Sequence, residues 1–172
     1  MSVNMNTRDI ANTLATLLAE LVEGAPKGGA YMLNAGDEGL LRSLDKLSAA
    51  DASAVTATGS SIAAHADHLR YGLSLMNRWS LGENPFQGAD WSASWRRTSV
   101  SDDQWRQLRT DLAAETRRWL DAVRQPRDVD EIALNGVIGS IAHLAYHLGA
   151  VRQINQSMRG PREGRGQGES EK

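Results

Sequence analysis

Residues 130–158 read DEIALNGVIGSIAHLAYHLGAVRQINQSM. Ile132, Leu134, Val137, Ile141, Leu144, Leu148 and Val151 carry an apolar stripe whose later steps are three and four, the period of a helix; a strand would alternate every second residue. The acids Asp128 and Asp130 suit the positive end of a helix, so the stretch predicts a helix starting near Asp128 to Asp130 and running to about Met158. Two imidazoles interrupt its apolar surface. His143 and His147 are four residues apart, which places them on one face about one turn from each other.

Working back along the chain, the same period recurs. Ser101-Asp102-Asp103-Gln104 matches a capping box, in which a Ser at the N-cap and a Gln three residues later satisfy two otherwise unpaired backbone N–H groups. The helix it opens runs to about Arg124, with Trp105, Leu108, Leu112, Trp119, Leu120 and Val123 facing inward. Ser60 or Ser61 caps another long helix ending near Leu81, with Ile62, Ala66, Leu69, Leu73 and Met76 as its inner seam. Ile10, Leu14, Leu17, Leu18 and Leu21 mark a first helix that Gly24, Pro26, Gly28 and Gly29 stop, and a shorter helix follows from Glu38 to Leu47. Gly82 to Val100 has no helical period. It is a long connection bearing Trp91 and Trp95, with Trp79 just before it, and the expectation is that these indoles pin it to the helices.

No segment shows sustained strand alternation and no internal repeat is present. The expected fold is therefore all-α: a four-helix bundle with a short extra helix and a long tryptophan-containing loop before the third major helix. Its domain spans residues 1–158. Residues 159–172, rich in Gly and charge with almost nothing to bury, are expected to form a disordered polar tail.

Composition narrows the function. A chain of 172 residues with 41% apolar and 23% charged residues suits one folded domain rather than a disordered or fibrous chain. A net charge of −2 offers no basic excess for nucleic acid or anionic membrane. No apolar run approaches the ~18 residues of a membrane span, and Met1 to Asp9 is polar rather than leader-like, so a cytoplasmic protein is expected. With no cysteine there are no disulfides, no protein thiolate and no cysteine-based zinc site.

The chain has four histidines, and all fall in predicted helices: His65 and His68 on the second long helix, His143 and His147 on the last. Each pair shares a face, and an antiparallel bundle can bring the two faces together. Burying four imidazoles without a partner costs desolvation, so a site for one divalent metal ion is expected, with His143 and His147 as two ligands. The third is either His65, which lies nearer the centre of the apolar seam, or His68 at its edge. Zinc or nickel fits imidazole ligands, and three protein ligands leave a coordination position open for chemistry. Gly139 and Gly149 are expected to permit close helix packing. Asp67 is expected to be a solvated surface carboxylate, although it is also a candidate for orienting an imidazole. Tyr71 and Arg152 are weighed as substrate contacts, with structural roles preferred.

Two stretches resemble the DinB/YfiT-like superfamily of metal-dependent enzymes. Ser61-Ile62-Ala63-Ala64-His65-Ala66-Asp67-His68-Leu69 is similar to the opening of that family's second bundle helix, and in this register the family's metal histidine falls on His68. Ile141-Ala142-His143-Leu144-Ala145-Tyr146-His147-Leu148-Gly149 resembles its His-x3-His-x-Gly signature. The resemblance spans roughly residues 7 to 157. It departs at Gly59 and Ser60, where the family often has a tryptophan, and at Ala150, where many members have glutamine. It implies a metal-dependent transferase or hydrolase acting on a small-molecule substrate, with a low-molecular-weight thiol as a possible cosubstrate, and a homodimer. The competing expectation is a non-catalytic bundle that binds a metal or ligand.

Overall fold

The computed structural model describes residues 7–57, 59–126 and 130–158. Among these, the regular elements are α1 (Thr7–Glu23), α2 (Leu40–Asp45), α3 (Ala49–Ser53), α4 (Ile62–Ser80), α5 (Asp102–Arg124) and α6 (Glu131–Ile154), with short 3-10 turns at Pro85–Gly88, Ala93–Trp95 and Gln156–Met158. No strand occurs among the described residues. The tail expected from residue 159 and the acid Asp128 lie outside them.

The four long helices close a ring: α4 packs on α5 and α6, and α1 packs on the same two. Their inner faces supply the core, in which Leu18, Leu44, Ile62, Leu108, Leu112, Trp119 and Leu144 are completely or almost completely buried. The indole N–H groups tie the elements together as they are buried. Trp105 Nε1 donates to the Leu47 carbonyl at 2.8 Å, and Trp119 Nε1 donates to Ser140 Oγ at 2.9 Å, joining α5 to α6.

The helix starts follow their caps. Ser101 and Gln104 form the expected capping box, Ser61 caps α4 through the Ala64 N–H, and Asp130 caps α6 through the Ala133 N–H. A second capping box, Ser48 with Asp51, turns the Ala-rich stretch after α2 into α3. The short helix expected from Glu38 to Leu47 is shorter, Leu40–Asp45, because Gly39 is drawn into contact with the end of α1. A Cβ on Gly39 would sit 2.4 Å from the Val22 carbonyl carbon and oxygen, and Gly24 forms an isolated bridge with Glu38. Glu20, buried in α1, organises the intervening loop by accepting the N–H groups of Tyr31, Met32 and Leu33 at 2.9, 2.7 and 2.6 Å.

Two readings of α6 are corrected. Ile132 is 74% exposed, since two residues before Leu134 it lies about 200° round the helix from it. Gly139 and Gly149 meet no heavy atom within 4 Å of a built Cβ. The close approach is at Gly136, where the Trp79 ring comes to 2.7 Å of a built Cβ, so no side chain fits there unless that indole moves. No helix among the described residues is long and apolar enough to cross a membrane.

Candidate metal centre

Every residue from Ser61 to Leu69 is buried, because the first half of α4 lies between α6, α3 and the loop that follows it. His65 and His68 are thereby carried inside, 6% and 7% exposed. α6 brings His147, 1% exposed, and the half-buried His143 against them. All four histidines meet.

They do not meet equivalently. Nε2 of His143 lies 3.1 Å from Nε2 of His68 and 2.9 Å from Nε2 of His147, and one ligand atom from each of these three rings falls within 4.8 Å of the others. Two nitrogens bound tetrahedrally at ~2.0–2.1 Å from one ion would stand about 3.3 Å apart, so the two contacts of His143 need to open by only a few tenths of an ångström. His65 stands behind this group. Its Nδ1 is 2.7 Å from Nδ1 of His147, on the side of that ring away from His143. Of the two, His68 rather than His65 falls in the group whose ligand atoms could together hold a metal ion.

The polarity of the network can be deduced. Ser94, in the 3-10 turn Ala93–Trp95, is 5% exposed, and its hydroxyl donates to the Trp91 carbonyl at 2.7 Å. That uses its one proton, so Oγ accepts from His68 Nδ1 at 2.8 Å. A neutral His68 then presents a bare Nε2. Facing it at 3.1 Å, His143 Nε2 must carry a proton to avoid opposing lone pairs, and the same N–H faces His147 Nε2. One shared proton thus sits among three nitrogens. This is a donor set that a cation suits, because each nitrogen can turn a lone pair inward.

The electrostatics agree. Burial, followed by the charges the neighbouring imidazoles would carry, lowers His147 to about 3 and His68 to about 4; burial also lowers His65 and His143. All four rings are therefore neutral near pH 7, the form that binds metal.

Trp95 roofs the group. Its ring stacks on His68 with centroids 4.3 Å apart and meets His65 at 5.1 Å and His147 at 5.7 Å. Trp91 leans on His68 and on Tyr71, while Tyr71 Oη accepts the Asp90 N–H. The long connection is pinned to the bundle, as expected, but it is pinned over the histidines. Two spaces flank them. A cleft of about 580 Å³ is lined by His65, Trp95, Tyr146, Thr56, Ser60 and Gln153, and a smaller apolar cavity of about 130 Å³ lies beside His143 under Trp91 and Met76.

The remaining candidates are structural. Asp67 is buried rather than solvated, and its carboxylate pairs with Arg70 at 2.8 Å and Arg97 at 3.3 Å. Arg152 is buried at the far end of α6, donating to the Glu38 carbonyl beside Asp37. Sequence reasoning missed Ser94. The available signal was a serine standing between Trp91 and Trp95, the two indoles expected to pin the connection. Comparison with protein-family models, with curated proteins and with solved structures finds no match for this chain.

Proposed function

We propose that His68, His143 and His147 hold one divalent metal ion, zinc or nickel, and that the protein is a metal-dependent enzyme of transferase or hydrolase type acting on a small molecule. The observation that carries this reading is the convergence of three neutral Nε2 atoms from two helices on one point. Three protein ligands are the number that leaves a tetrahedral ion one position for a reactant. Bound there, the ion would supply Lewis acidity, bringing a water or thiol toward ionisation at neutral pH and polarising a substrate.

The chain's own residues define what surrounds that chemistry. Ser94 holds His68 in the tautomer whose Nε2 is free. Trp95 and Trp91 cover the imidazoles and exclude water from their flank. The cleft beside His65 and the cavity beside His143 offer room for a substrate. With no cysteine in the chain, any thiol nucleophile comes from a cosubstrate, which agrees with the thiol-using members of the DinB/YfiT-like superfamily that the two histidine stretches resemble.

Metal titration of chelator-stripped protein tests the proposal. The wild type should bind one zinc or nickel ion, His143→Ala and His147→Ala should bind at least 100-fold more weakly, and all three should stay helical. Equal affinity in the wild type and His147→Ala would refute it. One-to-one binding without turnover of thiol-accepting or hydrolysable substrates would instead mark a non-catalytic metal-binding bundle.

A further inference from the structure

We propose that His65 is a positioning residue for the metal centre and not one of its ligands: it accepts the Nδ1–H of His147 and so holds Nε2 of that ring toward His68 and His143. The inference rests on the metal-centre reading above, but the hydrogen bond behind it belongs to the metal-free chain.

The direction of the His65–His147 bond follows from the other end of the network. Ser94 gives its proton to the Trp91 carbonyl, so His68 donates from Nδ1 and shows a lone pair at Nε2. His143 Nε2, facing that lone pair, is the donor, and it faces His147 Nε2 at 2.9 Å. His147 Nε2 is therefore an acceptor, and its neutral ring carries the proton on Nδ1. The partner at that atom is His65 Nδ1, 2.7 Å away, which must accept. A cation at the three Nε2 atoms demands the same tautomer of His147, so the protein prepares the ring before any ion arrives. Metal-ligating histidines generally give their other N–H to a carboxylate, a carbonyl or water, and loss of such a partner typically costs 10–100-fold in metal affinity. Here another imidazole fills that role. His65 is itself held against the edge of Trp95, with ring centroids 5.1 Å apart, and is 6% exposed, so the acceptor cannot easily swing away.

Two substitutions separate the roles. His65→Asn keeps an acceptor oxygen near the place of Nδ1; His65→Leu removes it and puts an apolar side chain in a buried position, with circular dichroism as the check on folding. Cobalt(II) titration with visible absorption reads affinity and the ligand set. Nitrogen-15 NMR of the metal-free histidines, through their two-bond couplings, reads the tautomer of His147. The expected result is that His65→Asn binds cobalt within about threefold of wild type, and that His65→Leu binds 10–100-fold more weakly. All three should share one absorption spectrum. In the metal-free form, His147 should be Nδ1-protonated in wild type and shift toward Nε2-protonated in His65→Leu.

Undiminished cobalt affinity in His65→Leu overturns the proposal. So does a spectrum altered alike by both substitutions, which would make His65 a ligand. If the wild type binds no cobalt, the metal reading fails, and the NMR still decides the role of His65. His147 found Nε2-protonated in the wild type overturns it, and a tautomer change in His65→Leu upholds it.

Discussion

His68 Nδ1 lies 2.8 Å from Ser94 Oγ, which joins a histidine of α4 to a residue in the middle of the loop that follows that helix. The hydroxyl is committed to the Trp91 carbonyl, so this contact dictates which nitrogen of His68 is free. Ser94→Ala should leave Nδ1 of His68 without its acceptor in a buried site. The expected outcome is a loss of about 1–3 kcal/mol in stability, read by urea unfolding, and a 10–100-fold loss in zinc affinity, read by competition with a chelating dye. Unchanged affinity would disconnect the loop from the site.

Two glycines should respond in opposite directions to alanine. At Gly39 the added methyl meets the Val22 backbone at 2.4 Å, and backbone cannot move aside cheaply. Gly39→Ala should cost several kcal/mol, on the scale of the severe single-site effects of overpacking. Gly139, inside α6, has nothing within 4 Å of the new atom, so Gly139→Ala should stabilise by about 0.5–1 kcal/mol through helix propensity. Thermal melts of the two variants against wild type decide both.

The metal-free protein should lose stability as the medium is acidified. His68 and His147 titrate near 4 and 3 in the folded chain, chiefly because they are buried, whereas in the unfolded chain they titrate near the usual 6.5. Below 6.5 the unfolded state binds more protons, so their contribution is complete above that pH and is lost as pH falls toward 4. The expected loss is on the order of a few kcal/mol. Glu20 adds a loss of the same sign at lower pH: burial pushes its carboxyl up, but the three backbone N–H donors outweigh this and hold it below the ordinary value. Urea midpoints measured from pH 7.5 down to 4 would expose a flat profile if the imidazoles were in fact solvated.

Bound ion should stabilise the fold by mass action. At a free concentration 100 times the dissociation constant the gain is about 2.7 kcal/mol, which for a chain of this size raises the melting temperature by about 5–10 °C. His147→Ala should show no such rise. Calorimetry at several zinc concentrations checks both.

Much of this molecule was legible in its sequence because helices state their period and their caps locally. Ser101 with Gln104, the seam from Ile62 to Leu73 and the His143–His147 pair all depend on neighbours within a few residues. What could not be read depends on distant partners. Whether His65 or His68 joins the α6 pair turns on how α4 is rotated against α6, and there the apolar seam pointed to His65 while the resemblance pointed to His68. The pairing of Asp67 with Arg97 joins residues thirty positions apart and shows only once the loop has folded back. Ser94 gains its role only once the loop is laid over α4. Ile132, apolar yet exposed, shows that apolarity alone does not place a residue on the inner face of a helix.

Trp95 has one further consequence. Its indole rests face to face on His68 and touches two more of the four imidazoles. An excited indole loses energy readily to an adjacent charged imidazole or bound ion, so the light this side chain emits is tied to the state of the rings beneath it. The molecule carries its own optical gauge, built from the same loop that shelters the histidines.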